Sequence, residues 1–480
     1  MKTCFALVAA IAFAASAARA DVKPASIFTD HLVLQQGKQT AIWGTADAGE
    51  KVTVTLGKQT QTAAAGADGK WLINLKDLSA DTGAGPFDLV IAGSNTVTFK
   101  DVYVGEVWLC SGQSNMDFTV VNTPKYRFAG VANMAEEVKN ANYPKIRMFS
   151  GEYQKSYQPQ TSVKGIWKTV TPENVPEMSA IGYFFARDLQ KELKVPVGIV
   201  TETFGASCAE AWVSRDALDA VPAFKPWLAT FDTLYKNYQQ TPTGKDPVQD
   251  QHNPTVMYNG MIAPIIPFTV KGVLWYQGES IAKPLASFPL VNETLVKDWR
   301  ARWGNPDMPF YFCQLAGQQA ASNRPEVREA QAALLSVPHT AMAVTTDIGE
   351  AKNVHPKNKQ DVGDRLTRIA LANTYGKKIE YSGPVYESMK VEGTAIRLSF
   401  THVSGGLVAK GGELKDFTIA GKDGKFVPAT ARIDKETIVV SSPDVAAPAN
   451  VRYAWEQFPE TANLYNTDAL PAPQFRTDKP

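Results

Sequence analysis

The sequence predicts an α/β fold, a mostly parallel sheet covered by helices, with all-β segments at both ends. Three observations predict it. Between about residues 105 and 380, short apolar runs alternate with amphipathic helical runs, the pattern of strand–helix units. Residues 21–103 and 381–480 instead carry short alternating runs separated by turn signals, the pattern of antiparallel β-structure. The length of 480 residues exceeds one ordinary domain.

The first twenty residues stand apart. Lys2 gives a positive start, Phe5 to Ala17 is an Ala-rich apolar stretch, and Ala18-Arg19-Ala20 is a small-x-small cleavage site. Residues 1–20 therefore read as a secretory signal peptide cut after Ala20, and the chain as secreted or periplasmic. The apolar run is too short to span a bilayer, and no later run of that kind is long enough. The full chain has 49 basic and 48 acidic residues, a net charge of +1. Lys2 and Arg19 leave with the leader, so the remainder carries about −1. Without a basic stripe, nucleic acid is not an expected partner. Cys110, Cys208 and Cys313 remain after Cys4 is lost. An odd number beside apolar neighbours reads as buried thiols, with one bridge and a spare thiol as the alternative.

The N-terminal β segment (21–103) shows strands at Lys51–Leu56, Trp71–Leu75 and Phe87–Ile91, with a turn at Asp68-Gly69. Such spacing suits a β-sandwich. In the middle segment (104–380), strands are expected at Val107–Cys110, Val197–Thr203, Gly272–Tyr276, Phe310–Leu315 and Ala341–Thr346. Helices are expected at Ile181–Leu193, Leu290–Trp303, Glu326–Leu335 and Lys359–Thr374. Phe118–Gln160 and Thr241–Asn253 read as long irregular insertions over a cleft. After 381 the β pattern returns at Ala395–Phe400, Phe417–Ala420, Lys425–Val427 and Thr437–Ser441, with Asp423-Gly424 as a hairpin turn. The two β ends suggest one discontinuous β domain, or two separate ones.

Sites in such sheets form at the carboxyl ends of strands. Ser114 sits there, in Gly112-Gln113-Ser114-Asn115, a polar turn after the first central strand. A serine on a strand-to-helix turn has an exposed hydroxyl and an outward N–H, which suits a nucleophile whose product is an oxyanion. The competing reading is a helix N-cap. Of the five histidines, only His355 lies in a loop at the same edge, after the strand at 341–346; His252 is the runner-up, and His31, His339 and His402 fall elsewhere. In Trp275-Tyr276-Gln277-Gly278-Glu279-Ser280, Gln277 can donate to an oxyanion and Glu279 can orient a histidine. Phe204-Gly205-Ala206-Ser207 can supply further N–H groups. Each of these is equally ordinary as a structural turn. The Gly-x-Ser-x-Gly elbow, metal-ligand clusters, a phosphate loop and a dinucleotide fingerprint are absent from the sequence, so neither metal nor cofactor is expected.

Taken together, Gly112-Gln113-Ser114-Asn115-Met116, Trp275–Ser280, and Val354-His355-Pro356 with Lys357-Asn358-Lys359-Gln360 resemble the ordered blocks of the sialate O-acetylesterase family, a branch of the SGNH hydrolases. The likeness extends through Asp30–Gln36, Tyr258–Pro264, Val451–Trp455, Asn463–Asn466 and Phe475–Asp478. It implies an SGNH-type, flavodoxin-like three-layer domain and an esterase that removes O-acetyl groups from carbohydrates. It also implies Ser114 as nucleophile, His355 as base, and Gly205, Gln277 and the Ser114 N–H as oxyanion donors. Many SGNH enzymes carry Asp three residues before the histidine, where this chain has Lys352. Glu279 is the first candidate for the missing acid, because its Gln-Gly-Glu setting resembles the acid-bearing block of related acetylxylan esterases. Asp347 is second, and a Ser–His dyad third. Acetylated xylan or xyloglucan is the alternative substrate. The rival functions are a lipase or thioesterase of the same architecture and a non-catalytic sugar-binding protein.

Overall fold

The computed structural model describes residues 21–124, 126–281, 284–320 and 323–478; the leader reading falls outside them. The central sheet contains β1 (Thr96–Gly112), β2 (Tyr143–Gly151), β3 (Gly165–Val170), β4 (Val197–Thr203), β5 (Gly272–Tyr276), β6 (Phe310–Cys313) and β7 (Thr340–Ala343). Their spatial order is β3-β2-β4-β1-β5-β6-β7. All neighbours are parallel except the β2–β3 hairpin. With that hairpin set aside, the strands lie in chain order 2-1-3-4-5, the flavodoxin-like arrangement. The order reverses at β1, so the crevice opens between the carboxyl ends of β1 and β5.

Helices cover both faces. On one side α2 (Ala180–Leu193) and α6 (Gln360–Asn373) bury Ile181, Phe184, Phe185, Val362, Leu366 and Ile369 against Trp108, Cys110, Leu274 and Tyr311. The Ser179 hydroxyl caps α2 by accepting from Gly182 N–H, and Lys194 closes it in the left-handed conformation. On the other side α4 (Phe288–Arg302) packs Val291, Leu295 and Trp299 against Val273, Trp275 and Phe310. Cys110, Cys208 and Cys313 are buried and unbridged.

The segment expected to be irregular at Phe118–Gln160 contains β2, a full member of the sheet. The expected boundary at 103/104 falls inside β1. That strand pairs antiparallel with Phe87–Ala92 in its first half and parallel with β4 and β5 in its second. Gly105 lets it pass: a Cβ there would lie 2.0 Å from the Pro196 carbonyl oxygen.

The expectation of one discontinuous β domain is corrected. Among the described residues no strand of 21–95 pairs with a strand of 381–478. Residues of the N-terminal strands, such as Val54, Trp71 and Ile91, join the apolar cluster beneath the sheet. The C-terminal strands enclose a core of their own around Ile396, Ile419, Val440 and Tyr453. The physical reason is continuity of the chain: β1 carries the N-terminal sheet straight into the central one, so both share a core. No helix among the described residues is long and apolar enough to cross a membrane.

Candidate active site

The site begins where β1 stops. Gly112 has φ +126°, and a Cβ there would lie 2.2 Å from the Tyr276 carbonyl oxygen. Only glycine permits both. Gln113 follows in extended conformation, and Ser114 opens the single turn α1 (Ser114–Asp117). The turn is pinned from three sides. Gln113 N–H donates to Tyr276 O at 2.9 Å, Phe204 N–H donates to Gly112 O at 3.0 Å, and Ser179 Oγ donates to Met116 O at 2.7 Å. Asp117, at the end of the turn, accepts from Thr203 Oγ1 at 2.6 Å and from the Tyr153 hydroxyl.

His355 reaches this turn from the loop between β7 and α6. Its Nε2 lies 2.8 Å from Ser114 Oγ. The loop is held by its own polar residues: Asn353 Oδ1 accepts from His355 N–H at 3.0 Å, and Glu350 accepts from Asn353 and from Lys357 N–H. The imidazole is stacked on Phe128, centroid to centroid 4.3 Å at 28°. Burial, helped by the charge of Lys359, pushes its pKa down to about 4. The ring is therefore a neutral acceptor at ordinary pH, and the hydroxyl donates to it.

Among the described residues no carboxylate meets this histidine. Among the described residues, His31, His252, His339 and His402 each lie within 4 Å of a carboxylate, at Asp101, Asp250, Asp307 and Glu380 respectively. His355 has no such partner. Neither expected acid is brought to it. Asp347 accepts both guanidinium Nη groups of Arg365 at 2.7 Å and the Tyr465 hydroxyl at 3.1 Å. Glu279 instead accepts from Asn115 Nδ2 at 2.6 Å, and burial raises its pKa. His252 bonds Asp250 and does not reach the serine.

The oxyanion candidates divide. Gly205 lies over the serine; a Cβ on it would meet Ser114 Cβ at 3.7 Å, and no described acceptor takes its N–H. The Gln277 side chain is turned away, a correction to its expected role as donor. Its Nε2 donates to Ser207 O at 3.3 Å and Ser280 O at 2.6 Å, and so has no free N–H.

Two residues that sequence reasoning missed complete the site. Asn115 Nδ2 donates to Val354 O at 3.1 Å as well as to Glu279, and Asn115 Oδ1 accepts from Lys359 Nζ at 2.5 Å. The sequence held one signal: a lysine at the start of a helix opposes the helix dipole.

A serine hydroxyl against a neutral imidazole, at the switch point of a parallel sheet, defines a hydrolase of the α/β class. Comparison with known proteins narrows the class. Residues 104–372 match the family model described as carbohydrate esterase, sialic acid-specific acetylesterase, and the chain belongs to that family. It is 29% identical to the sialate O-acetylesterase of Rattus norvegicus, over 94% of this chain and 93% of that one. It is 29% identical to that of Homo sapiens, over 94% and 91%. A crystal structure of a carbohydrate acetylesterase from Xanthomonas citri superposes with a TM-score of 0.84 at 35% identity, covering 96% of this chain and all of that one. The protein is a carboxylic ester hydrolase acting on carbohydrate acetyl groups.

Proposed function

We propose that this chain is a secreted serine esterase that releases acetate from O-acetylated carbohydrates through an acetyl-serine intermediate, with Ser114 and His355 as its catalytic pair. The 2.8 Å contact between Ser114 Oγ and His355 Nε2 carries the reading. His355 Nε2 takes the hydroxyl proton as Oγ attacks the acetyl carbonyl carbon, and the carbonyl π pair moves to oxygen. The N–H groups of Ser114 and Gly205 receive that oxyanion; one such donor contributes about 10²–10³ in rate. Collapse breaks the bond to the sugar oxygen, which leaves with the proton from His355. Water then gives a proton to His355 and attacks the acetyl-serine. The second collapse returns the His355 proton to Ser114 Oγ and releases acetic acid, which ionises to acetate in solution. The scheme needs neither metal nor cofactor.

The arrangement is a dyad. An imidazolium that no carboxylate stabilises is a strong acid, so it passes its proton readily to the leaving sugar. The family model and the mammalian relatives support an O-acetylated sialic acid as substrate. The Xanthomonas carbohydrate acetylesterase supports the broader class, an acetylated carbohydrate, and acetylated xylan or xyloglucan is the second reading. The leader-like residues 1–20 support export.

Acetate release from O-acetylated sialic acid and from acetylated xylan and xyloglucan oligosaccharides tests this, alongside Ser114→Ala. The expected result is acetate from at least one of these, lost in the variant, with a fluorophosphonate probe labelling Ser114. Wild-type turnover by Ser114→Ala would overturn the reading.

A further inference from the structure

Lys359 is the residue whose position the reaction scheme does not explain. It is 1% exposed and stands immediately before the 14-residue helix α6, where the helix dipole repels a cation. Burying an ammonium there costs free energy unless a specific partner repays it. Its Nζ lies over the rings of Phe118 and Tyr276, at 4.6 and 5.8 Å from their centroids, and donates to Asn115 Oδ1 at 2.5 Å.

That bond settles which way the Asn115 amide faces. With the oxygen on the ammonium, the Nδ2 hydrogens point to two oxygen acceptors, Glu279 Oε1 and Val354 O. The opposite orientation would set an NH₂ against an ammonium and an oxygen against two oxygens. Asn115 directly follows Ser114, and Val354 directly precedes His355. One amide therefore spans the two halves of the catalytic pair, and one lysine fixes that amide.

We propose that Lys359 is a positioning residue: it locks Asn115 in the orientation that ties the His355 loop and Glu279 to the serine turn, doing for the histidine what a carboxylate on its ring does in a triad. The inference rests on Ser114 and His355 being the catalytic pair. The charged and titratable groups facing Lys359 are Glu279 from the loop after β5, Glu350 from the histidine loop and Cys313 at the end of β6; the two carboxylates draw its pKa up against burial, which brings it down to about 7. The charge of Arg324 also acts on Glu279, drawing its pKa down against burial.

The test is Lys359→Met in the full chain. Methionine matches the length of the buried stem and packs against aromatic rings. Thermal stability should be kept, and kcat on an acetyl ester should fall about tenfold or more at unchanged KM, the size expected of a small misplacement. The acid limb of the kcat/KM profile should also move up, because a cation beside His355 is gone; that shift reports the charge alone, and the fall in kcat at unchanged KM reports the positioning. Combined with Asn115→Ala, Lys359→Met should cost nothing more, since it acts through the same amide. Lys359→Gln, which keeps a donor without the charge, should retain more kcat than the methionine variant yet show the same limb shift, and it serves if methionine does not fold. Unchanged kcat in a folded variant, or losses that add to those of Asn115→Ala, overturn the proposal. If Ser114→Ala is inactive while Lys359→Met is normal, this inference alone falls; an active Ser114→Ala removes the esterase reading first.

Discussion

The ring of Phe128 lies nearly flat on that of His355, 4.3 Å away at 28°. It covers one face of the imidazole with apolar surface, and among the described residues no carboxylate pairs with the ring. Both facts disfavour the imidazolium, and the Lys359 ammonium disfavours it further. A pKa near 4 has a direct kinetic consequence. With His355 as the proposed base, neutral down to acid pH, kcat/KM should stay flat from neutrality to about pH 5 and fall below about pH 4. The fold should respond over a wider range. The unfolded chain protonates this histidine near its ordinary 6.5 and the folded one does not, so acidification from 6.5 toward 4 removes stability. A pH–rate profile with an acid limb near 6.5 would contradict both statements.

Removing the Phe128 ring separates burial from charge. Phe128→Ala lets water reach His355, so its pKa should rise toward 6.5 and the acid limb of kcat/KM with it. The stacked contact is worth about 0.5–1.5 kcal/mol, so the aligned rotamer should become less populated and kcat should drop roughly two- to tenfold. Phe128 is itself 37% exposed, so melting should move little. The check is one pH profile and one melting curve.

Asp347→Ala should do the reverse. Arg365 is buried, and Asp347 is its bidentate partner; Tyr465, from the C-terminal strands, bonds the same carboxylate. Removing one half of a buried pair strands the other, at a cost of about 3–5 kcal/mol. Activity per folded molecule should stay within a few-fold, whereas loss of a true triad acid costs about 10⁴ in kcat. Denaturant unfolding beside kcat at low temperature distinguishes the two.

Periodicity carried most of the fold. The expected strands Val197–Thr203 and Gly272–Tyr276 coincide with β4 and β5 residue for residue, because strands buried on both faces carry apolar runs, here Val197–Val200 and Val273–Tyr276. β2 escaped because Lys145 and Arg147 interrupt its pattern. Arg147 is buried against Asp101, its ion-pair partner 46 residues away, and also donates to Pro144 O. The 16-residue helix α3 (Lys225–Gln240) escaped because it buries only Leu228 and Phe231, too thin a stripe to stand out. At the site, strand edges were enough to place Ser114 and His355 together. Which carboxylate met which donor was not legible. The Asn115–Glu279 and Asp347–Arg365 bonds depend on tertiary packing, and a Gln-Gly-Glu turn looks the same whether its acid faces a histidine or an asparagine.

Glu202 tests that point on a residue outside the dyad. It lies at the carboxyl end of β4, fully buried, and neither carboxylate oxygen has a hydrogen-bond partner among the described residues. Its neighbours along the same sheet row are Gly151, Ser111 and Trp275; the Ser111 hydroxyl and Trp275 indole N–H are likewise unpartnered. Burial pushes its pKa well above the ordinary 4.5, so the folded chain keeps the proton that the unfolded chain releases. As pH rises from 4.5 toward the raised value, the unfolded state alone gains charge, and stability falls. Glu202→Gln keeps the shape and removes that titration. The variant should match the wild type below pH 4.5 and be more stable than it at pH 7, with the wild-type decline flattened. Equal stability of the two proteins at pH 7 would mean that Glu202 is ionised in the fold and has a partner there.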